Sequence, residues 1–432
     1  MNKLLIFFLF LSFSTFSQRA ITLSELIGLT IEKNYQIQIY KIQNQIVENQ
    51  NTAGNTGMLP TIGVEGTASM DVKNSELNFF SGDSRSGKNA QSTSLSGVVR
   101  LDYTVFDGFA MFANKDRLNY LSQIGAQETK YFVEQTIADV SKLYSQLIVN
   151  YNIAELYEKS LNISRFRYKI ALRQKQIGTI NALELHQAEM DFTSDSLLLL
   201  NAQWNIHDLQ IQINRIIRND SIITWIPVEE SMKIEGIGSL EEVQRDALIN
   251  NKNMQRRQIE EMLAEANLRI EKSARYPQVN LFGSYGYSKQ INEVGFTESS
   301  LTYGPGFGVT VRMNLYDGGN VNNRIENSRL ETEIANLNRL DYENLIKTEL
   351  QRLYSSYQNL LINRNLLEKN LQSATNTILI AEEQYKAGTI SGFDYRQNQL
   401  SVIQINMQLI NLKNQLRQTE IDILRIRGKM VE

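Results

Sequence analysis

The chain has 432 residues, a formal net charge of −3 and no cysteine. Without cysteine there can be no disulfide framework, no thiolate metal site and no lipid anchor on an amino-terminal Cys. The 44 basic and 47 acidic residues nearly balance, which gives no electrostatic reason to expect nucleic acid as a partner.

The amino-terminal residues have the pattern of a secretory signal peptide. Lys3 precedes an apolar run over 4–13, and Thr15-Phe16-Ser17 gives a small-x-small cleavage site. We therefore predict that residues 1–17 are removed on export. The alternative, an uncleaved membrane anchor, would need a longer apolar run than this one. No later segment reaches the roughly 18 consecutive apolar residues of a transmembrane helix.

Several motifs occur twice, 210 residues apart. Gly178-Thr179-Ile180 recurs as Gly388-Thr389-Ile390, and the Phe-Asp-Gly at 106–108 recurs as Tyr-Asp-Gly at 316–318. The interval from this aspartate to the glycine before threonine is 71 residues in both copies. A repeat at a fixed spacing shows the structural unit, and here the unit is about half of the chain.

The repeats define the predicted organisation of the chain. We place the first repeat at 18–218 and the second at 239–432. The segment 219–238, which contains Trp225 and Pro227, joins them and is predicted to form a mixed equatorial belt midway along the helices.

Long helices are predicted from the scarcity of proline and from heptad spacing. Proline, which interrupts helices, is absent from four stretches, 110–177, 181–218, 239–275 and 320–386. Apolar residues at alternating intervals of three and four follow two of these stretches, 181–218 and 320–386, and also the segment after Ile390. The longest series, interrupted only at Arg364, is Ile346, Leu350, Leu353, Tyr357, Leu360, Leu367, Leu371, Ala374, Ile378, Ala381 and Tyr385. Such a seam predicts coiled-coil packing. Each repeat should contain a helix of roughly 65 residues, about 100 Å long, a tight turn, and a returning helix.

Four segments alternate apolar and polar residues with a period of two: about 61–72, 95–106, 277–289 and 301–316. Alternation over ~10 residues, with aromatic residues near the ends, is typical of membrane-barrel strands. The alternative is a small antiparallel sheet packed on the helices. Four strands cannot close a barrel, and an open edge cannot exist in lipid. Two copies would give eight strands around a filled interior, whereas three would give twelve and leave room for a lumen.

From about residue 20 to its end, the chain resembles the TolC-like outer-membrane efflux protein family. The resemblance rests on the duplicated order of helix, strand, strand and helix. It also rests on Tyr-Pro-Gln-Val-Asn-Leu at 276–281, Leu-Tyr-Asp-Gly-Gly at 315–319 and Tyr-x-x-Gly-Thr at 385–389. Each motif alone is weak, but together, in order and with echoes in the first repeat, they are specific.

The resemblance implies a mainly α fold with membrane β-structure: a homotrimer whose 12-stranded β-barrel continues into a long α-helical coiled-coil barrel. It implies localisation in the outer membrane, among outer-membrane lipid, with a long periplasmic extension. It further implies an exit duct for efflux or type I secretion. The partners would be a periplasmic adaptor (membrane fusion) protein and an inner-membrane pump of RND, ABC or MFS type.

The resemblance also indicates which residues form the functional site. Glu184 and Asp394, each six residues after a turn glycine, match acidic residues of the family's pore constriction, and Tyr385 matches an aromatic position there. Gly178 and Gly388, with Thr179 and Thr389, form the tips of the helical hairpins. A second interpretation treats Asn181–Glu184 and Ser391–Asp394 as capping boxes at helix starts; both roles can coexist.

Two positions depart from the family pattern. Ile390 stands where some relatives have a basic gate residue, and Gln397 stands where a second acid would lie. A constriction locked by salt bridges at those two positions is therefore not expected.

No catalytic pattern is present in the sequence. The two histidines, His186 and His207, lie on a predicted helix without an H-E-x-x-H motif, and there is no phosphate-binding G-x-x-x-x-G-K-[ST]. We therefore expect neither an enzyme nor a cofactor or metal site, and any energy must come from a partner. The competing hypothesis is an exported structural coiled-coil tether or periplasmic adaptor with no pore, which would not need four amphipathic strands.

Overall fold

The computed structural model describes residues 18–218, 223–229 and 236–430. Its first half contains β1 (Gln18–Ile21), α1 (Leu23–Lys33), α2 (Tyr35–Gln50), β2 (Thr61–Asn78), β3 (Ser84–Phe106), α3 (Ala110–Gln176) and α4 (Ala182–Ile216). The second half contains β4 (Thr224–Pro227), α5 (Leu240–Asn250), α6 (Lys252–Ser273), β5 (Gln278–Asn292), β6 (Ser299–Arg312), α7 (Asn320–Lys386) and α8 (Gly392–Arg427). The predicted signal peptide and parts of the joining segment (219–222 and 230–235) lie outside the described residues.

The chain forms two compact units, and each unit contains segments from both repeats. The first unit comprises the described parts of 1–41, 127–255 and 341–432. The second comprises Ile42–Ala126 and Arg256–Leu340. The repeats are thus units of sequence, whereas the compact units form because corresponding elements of the two repeats lie side by side.

The second unit contains a four-stranded antiparallel sheet in the order β2-β3-β5-β6. Its central pairing, β3 with β5, joins the two repeats. The register places the predicted apolar residues of all four strands on one face, since Val64 pairs with Val99, and Val99 with Tyr285. This register confirms the predicted alternation of apolar and polar residues. Strand β2 is nevertheless exposed on both faces over most of its length.

The strands differ from the prediction at their ends. Strands β2 and β3 continue beyond 61–72 and 95–106, because Ser, Asn and Gly residues between these two segments still pair through their backbones as far as Asn78 and Ser84. Strand β6 ends at Arg312 instead of 316, because Arg312 pairs with Gln278, the first residue of β5, and no partner strand follows.

The long helices agree closely with the heptad prediction. Helices α3 and α7 have 67 residues each, and α4 and α8 have 35 and 36. Every member of the predicted α7 seam is buried or half-buried. In the first repeat the α4 seam packs with β1 and β4 around Trp225, which is 1% exposed. Strand β4 pairs in parallel with β1, so the described part of the joining segment forms a small mixed layer beside the helices.

The predicted uninterrupted helix over 239–275 is wrong. It is broken at Asn251, which ends α5 with ψ of 120° and starts α6 by accepting the Met254 N–H at 2.9 Å. Asn34 breaks α1 from α2 in the first repeat in the same way, accepting from the N–H groups of Gln36 and Ile37. Asparagine side chains that bond nearby backbone favour helix starts over helix interiors, and this signal outweighed the absence of proline.

Replacing Asn251 with Ala should destabilise the first unit more than the matched change Asn34→Ala. Both substitutions remove a cap, worth about 1 kcal/mol. Asn251 also donates to the buried carbonyl of Ile426 at 2.8 Å, and leaving that acceptor unpaired should cost about 1 kcal/mol more. Denaturant unfolding of the detergent-solubilised protein, followed by circular dichroism, measures the difference. Equal losses for the two variants would show that the Ile426 bond contributes nothing.

Candidate functional site

The turns that join the paired helices have the same backbone geometry in both repeats. Gly178 and Gly388 have positive φ, +77° and +74°, a conformation that glycine adopts without steric strain. Thr179 and Thr389 each donate the backbone N–H to the carbonyl five residues earlier, at 2.9 Å. Their hydroxyls donate to the same carbonyls at 3.0 and 2.9 Å. Glycine thus provides the reversal, and threonine pairs a helix-end carbonyl that would otherwise lack a partner.

The predicted constriction acids begin the returning helices. The N–H of Glu184 donates to Asn181 Oδ1 at 2.9 Å, and that of Asp394 donates to Ser391 Oγ at 3.1 Å. The Ser391–Asp394 pair forms a complete capping box. In the first repeat the Glu184 carboxylate accepts instead from the Asn181 side chain, at 3.0 Å. The predicted capping box is therefore confirmed at Ser391, whereas Asn181 is a side-chain cap without the reciprocal bond. Both carboxylates are exposed and remain predicted constriction residues.

Tyr385 lies beside the second turn, stacked on Tyr395 of α8. The ring centroids are 5.1 Å apart and the ring planes differ by 10°. Tyr395 is 7% exposed; burial, together with the nearby Glu382 carboxylate, raises the pKa of its hydroxyl. The stacked rings thus join the end of α7 to the start of α8 beside the second turn. The role of Tyr385 in a constriction stays a prediction.

A buried ion cluster joins the two hairpins close to these turns. Arg396 of α8 donates to both carboxylate oxygens of Asp195 on α4, at 2.6 and 3.1 Å. Arg396 is 6% exposed and Asp195 is 1% exposed. Ser160 of α3 donates to the same carboxylate at 2.9 Å. The three side chains thus fix α8 of the second repeat against both long helices of the first.

A second arginine completes this inter-repeat ion cluster. Arg167 of α3 donates to Asp191 of α4 at 3.1 Å and to the carbonyl of Gly392 at 2.9 Å. Gly392 is the first residue of α8, so this bond ties one hairpin to the start of the returning helix of the other. Two arginines face two aspartates, so the charges of the buried pair Arg396–Asp195 and of the half-buried pair Arg167–Asp191 compensate each other.

Sequence reasoning missed this cluster, although one signal was present. Asp195 lies on the buried seam of α4, between Ala188 and Ala202 at intervals of seven. A carboxylate at a core heptad position needs a buried partner. The sequence does not show which residue supplies it, because Arg396 lies on another helix, 201 positions away.

The other polar candidates form no site. Among the described residues, no group of three or more His, Asp and Glu side chains is placed to hold a metal ion. His186 lies 3.4 Å from the Glu189 carboxylate, and both are exposed. None of the helices in the described ranges combines the length and apolar character needed to cross a membrane.

The family model named Outer membrane efflux protein matches residues 26–217 and 243–429. The two matched segments correspond to the two repeats and together cover most of the chain. The chain therefore belongs to the outer membrane efflux protein family, as the sequence motifs predicted. This is an efflux family and not a family of enzymes.

Solved structures show the same fold. CusC, whose structures concern transmembrane channel formation, matches with a TM-score of 0.77 at 14% identity, covering 94% of this chain and 92% of its own. The CmeC outer membrane channel of Campylobacter jejuni has a TM-score of 0.76 at 15% identity, covering 95% and 86%. The outer membrane protein VceC of Vibrio cholerae has a TM-score of 0.76 at 14% identity, covering 94% and 96%. No curated protein matches the sequence. The predicted mainly helical, duplicated fold is thus confirmed.

Removing one partner of the buried ion pair should cost far more than removing both. Asp195→Ala leaves the Arg396 charge buried without its partner and should destabilise the protein by about 3–5 kcal/mol. The double variant Asp195→Leu, Arg396→Met should recover most of that loss, since apolar replacements avoid the desolvation cost. Denaturant unfolding of the purified protein reports both values.

The exposed pair Glu326–Arg329, at 2.9 Å, provides the control for this experiment. Glu326→Gln should leave stability unchanged within error, because exposed ion pairs are screened by water. A loss in Asp195→Ala no larger than in this control would contradict the assignment of a buried, compensated cluster.

Proposed function

We propose that this protein is an outer-membrane channel, the exit duct of a tripartite efflux or type I secretion system. Substrates would pass from an inner-membrane pump through the duct to the exterior. The observation that carries this proposal is the four-stranded sheet. It has an apolar face and a polar face, large apolar side chains such as Val64 and Phe307 are 80% and 87% exposed, and its edge strands β2 and β6 have free outer edges among the described residues.

Such a sheet requires partners on its edges and an apolar medium on one face. Exposed strand edges are otherwise sites of aggregation, and a lipid environment requires that every edge be paired. Three copies would contribute twelve strands to one closed barrel with a lumen. The polar face would then line the lumen, where Thr104 pairs with Asn280 and Ser92 with Asn292, at 2.8 and 2.7 Å.

The hairpin turns are the proposed docking end for a periplasmic adaptor protein. Gly178, Thr179, Gly388 and Thr389 are exposed, and a Cβ built on either glycine would meet nothing within 4 Å. A turn with a well-defined backbone and free space around it is a suitable surface for recognition by another protein. The adaptor would link the duct to an inner-membrane pump of RND, ABC or MFS type, because the chain has no phosphate-binding loop of its own.

Glu184, Asp394 and Tyr385 are proposed to line the narrowest part of the duct. In a trimer the two acids would supply six carboxylates around one opening. Their capping bonds are compatible with this role, since each carboxylate remains exposed beside the turn. Carboxylate rings select cations.

The purified protein should form ion-conducting channels in a planar lipid bilayer and should require detergent for extraction from the outer membrane. Stepwise current increases on addition of the protein would support the channel. Deleting 61–105 should abolish both membrane assembly and current, because the remaining strands cannot close. A soluble, exported protein that adds no conductance would favour the competing role of a structural tether or adaptor.

Neutralising the two acids should weaken cation selectivity while assembly is retained. In Glu184→Gln with Asp394→Asn, the amides keep part of the capping capacity, so the helix starts should persist. The reversal potential under a salt gradient measures selectivity before and after the change. Glu189→Gln is the matched control, because Glu189 is an exposed acid on α4 outside the proposed constriction. If the double variant retained the parent's reversal potential, the two acids would be helix caps only.

A further inference from the structure

The polar face of the four-stranded sheet carries an aromatic side chain, Phe282 of β5. Its neighbours on the same face of this strand are Asn280 and Ser284. Across the sheet, Phe282 pairs with Asp102 of β3 on one side and with Gly308 of β6 on the other. A Cβ built on Gly308 would lie 2.7 Å from Cζ of the Phe282 ring and 2.8 Å from its Cε1. The ring therefore lies across β6 in space that only a glycine leaves open.

Arg100 of β3 is held on this ring. Its guanidinium carbon lies over Phe282, 5.2 Å from the ring centroid, which is within the range of a cation–π interaction. Its Nε donates to both carboxylate oxygens of Asp102, at 3.0 and 2.8 Å. The guanidinium group is thus fixed through its plane by the aromatic ring and along one edge by the carboxylate.

The other edge of the guanidinium group remains open. Among the described residues, the two terminal nitrogens of Arg100, Nη1 and Nη2, have no hydrogen-bond partner, and its side chain is 55% exposed. Glu65, which the register places on the same face opposite Val98, forms no ion pair with Arg100. The side chain therefore presents a pair of N–H donors to the space in front of the polar face.

The aromatic ring and its glycine are not required for pairing the strands, because the first repeat does without them. Glu65 and Phe282 each lie five residues after the proline that precedes their strands, β2 and β5. Val98 and Gly308 each lie nine residues before the aspartate of the Asp-Gly motif. Glu65 pairs with Val98 as Phe282 pairs with Gly308. The same cross-strand position thus holds an acid and valine in one repeat and the arginine platform in the other.

We propose that Arg100, positioned by Asp102 and Phe282, binds carboxylate or phosphate groups of solutes that pass through the channel. The inference rests on the proposed function, in which the polar face lines the lumen. Two N–H donors on one edge of a planar guanidinium match two oxygens of such an anion. A side chain that is already held loses little conformational freedom when it binds.

This site acts at contact range and differs in that respect from the acids at the hairpin turns. The charges of Arg100 and Asp102 sum to zero, so the pair adds no net field that would repel cations from the lumen. Asp102 pairs with Thr61, the first residue of β2, which places the site at the end of the sheet where β2 begins. Three copies would carry three such sites at the same height in one lumen.

Block of the bilayer current by citrate and by inorganic pyrophosphate tests the proposal. The double variant Arg100→Gln, Asp102→Asn removes the ion pair without changing the net charge. It should raise the half-blocking concentration about tenfold, the equivalent of one lost hydrogen bond to a charged group. Block by citrate alone would assign the site to carboxylates, and block by pyrophosphate alone would assign it to phosphates.

Arg312→Gln is the matched control for charge. Arg312 is an exposed arginine on the same polar face, paired through its backbone with Gln278, and it has no aromatic platform. Its half-blocking concentration should stay near that of the parent protein. An equal rise in Arg312→Gln would show that the anions respond to diffuse positive charge, and would overturn the site at Arg100.

Gly308→Ala tests the platform without touching any charge. The new Cβ would displace the Phe282 ring, so the half-blocking concentration should rise as in the double variant. Gly286→Ala is the control, since a Cβ there meets nothing within 4 Å and should leave the block unchanged. Unchanged block in Gly308→Ala would overturn the positioning role of Phe282.

A further measurement does not depend on conductance. In Phe282→Trp the indole replaces the ring beneath Arg100, and its emission, obtained by subtracting the spectrum of the parent, should change on titration with citrate in detergent. The same titration of Phe282→Trp, Arg100→Gln should give no change. A response without any conductance would retain the anion site and overturn the channel. Conductance without block by either anion and without an emission change would overturn the anion site and leave the channel.

Discussion

The structure depends on the packing of α8, a returning helix with two rows of residues at heptad spacing, each of which is buried against a different helix. The first seam of α4 and of α8 pairs it with the long helix of its own hairpin, as the fully buried Ile213 and Leu416 show. The second seam of α8 finds its partner in α3, because the duplicated hairpin lies beside the first. The equivalent positions of α4, such as Met190 and Trp204, are exposed in the part of the chain that the structure describes. Duplication thus leaves equivalent positions of the two returning helices in different surroundings.

The inter-repeat ion cluster gives the joint within the chain a specificity that apolar seams lack. Leucine seams tolerate slippage by a heptad, since one apolar residue resembles the next, whereas a buried polar pair has one satisfied register. If α8 slipped along α4, Arg396 and Asp195 would each lose a buried partner, at a cost of about 3–5 kcal/mol. The cluster therefore fixes the register of α8 against α3 and α4 near the hairpin turns.

The sequence predicted the periodic parts of this molecule and missed the parts that depend on distant partners. Heptads and the absence of proline located the four long helices, and a period of two located the strands and their apolar face. The helix break at Asn251 was missed because a capping asparagine resembles an ordinary polar position. At the candidate site, Glu184 and Asp394 were recognised as caps because capping is local. Arg396 was missed because its partner Asp195 is near only in the folded chain.

The two repeats have the same interval of 71 residues between the Asp-Gly motif and the turn glycine. This equality follows from the fixed register of α8 against α3. Four contacts between α3 and α8 run antiparallel along the helices, from Lys142–Asp422 through Ser145–Asn414 and Tyr157–Met407 to Arg167–Gly392. One inserted residue in α3 would shift everything beyond it by 1.5 Å and rotate it by about 100°. Arg167 would then face away from Gly392, and Ser160 away from Asp195. A length change in one hairpin is tolerable only if the other changes equally, which explains why spacing persists between repeats whose sequences have diverged.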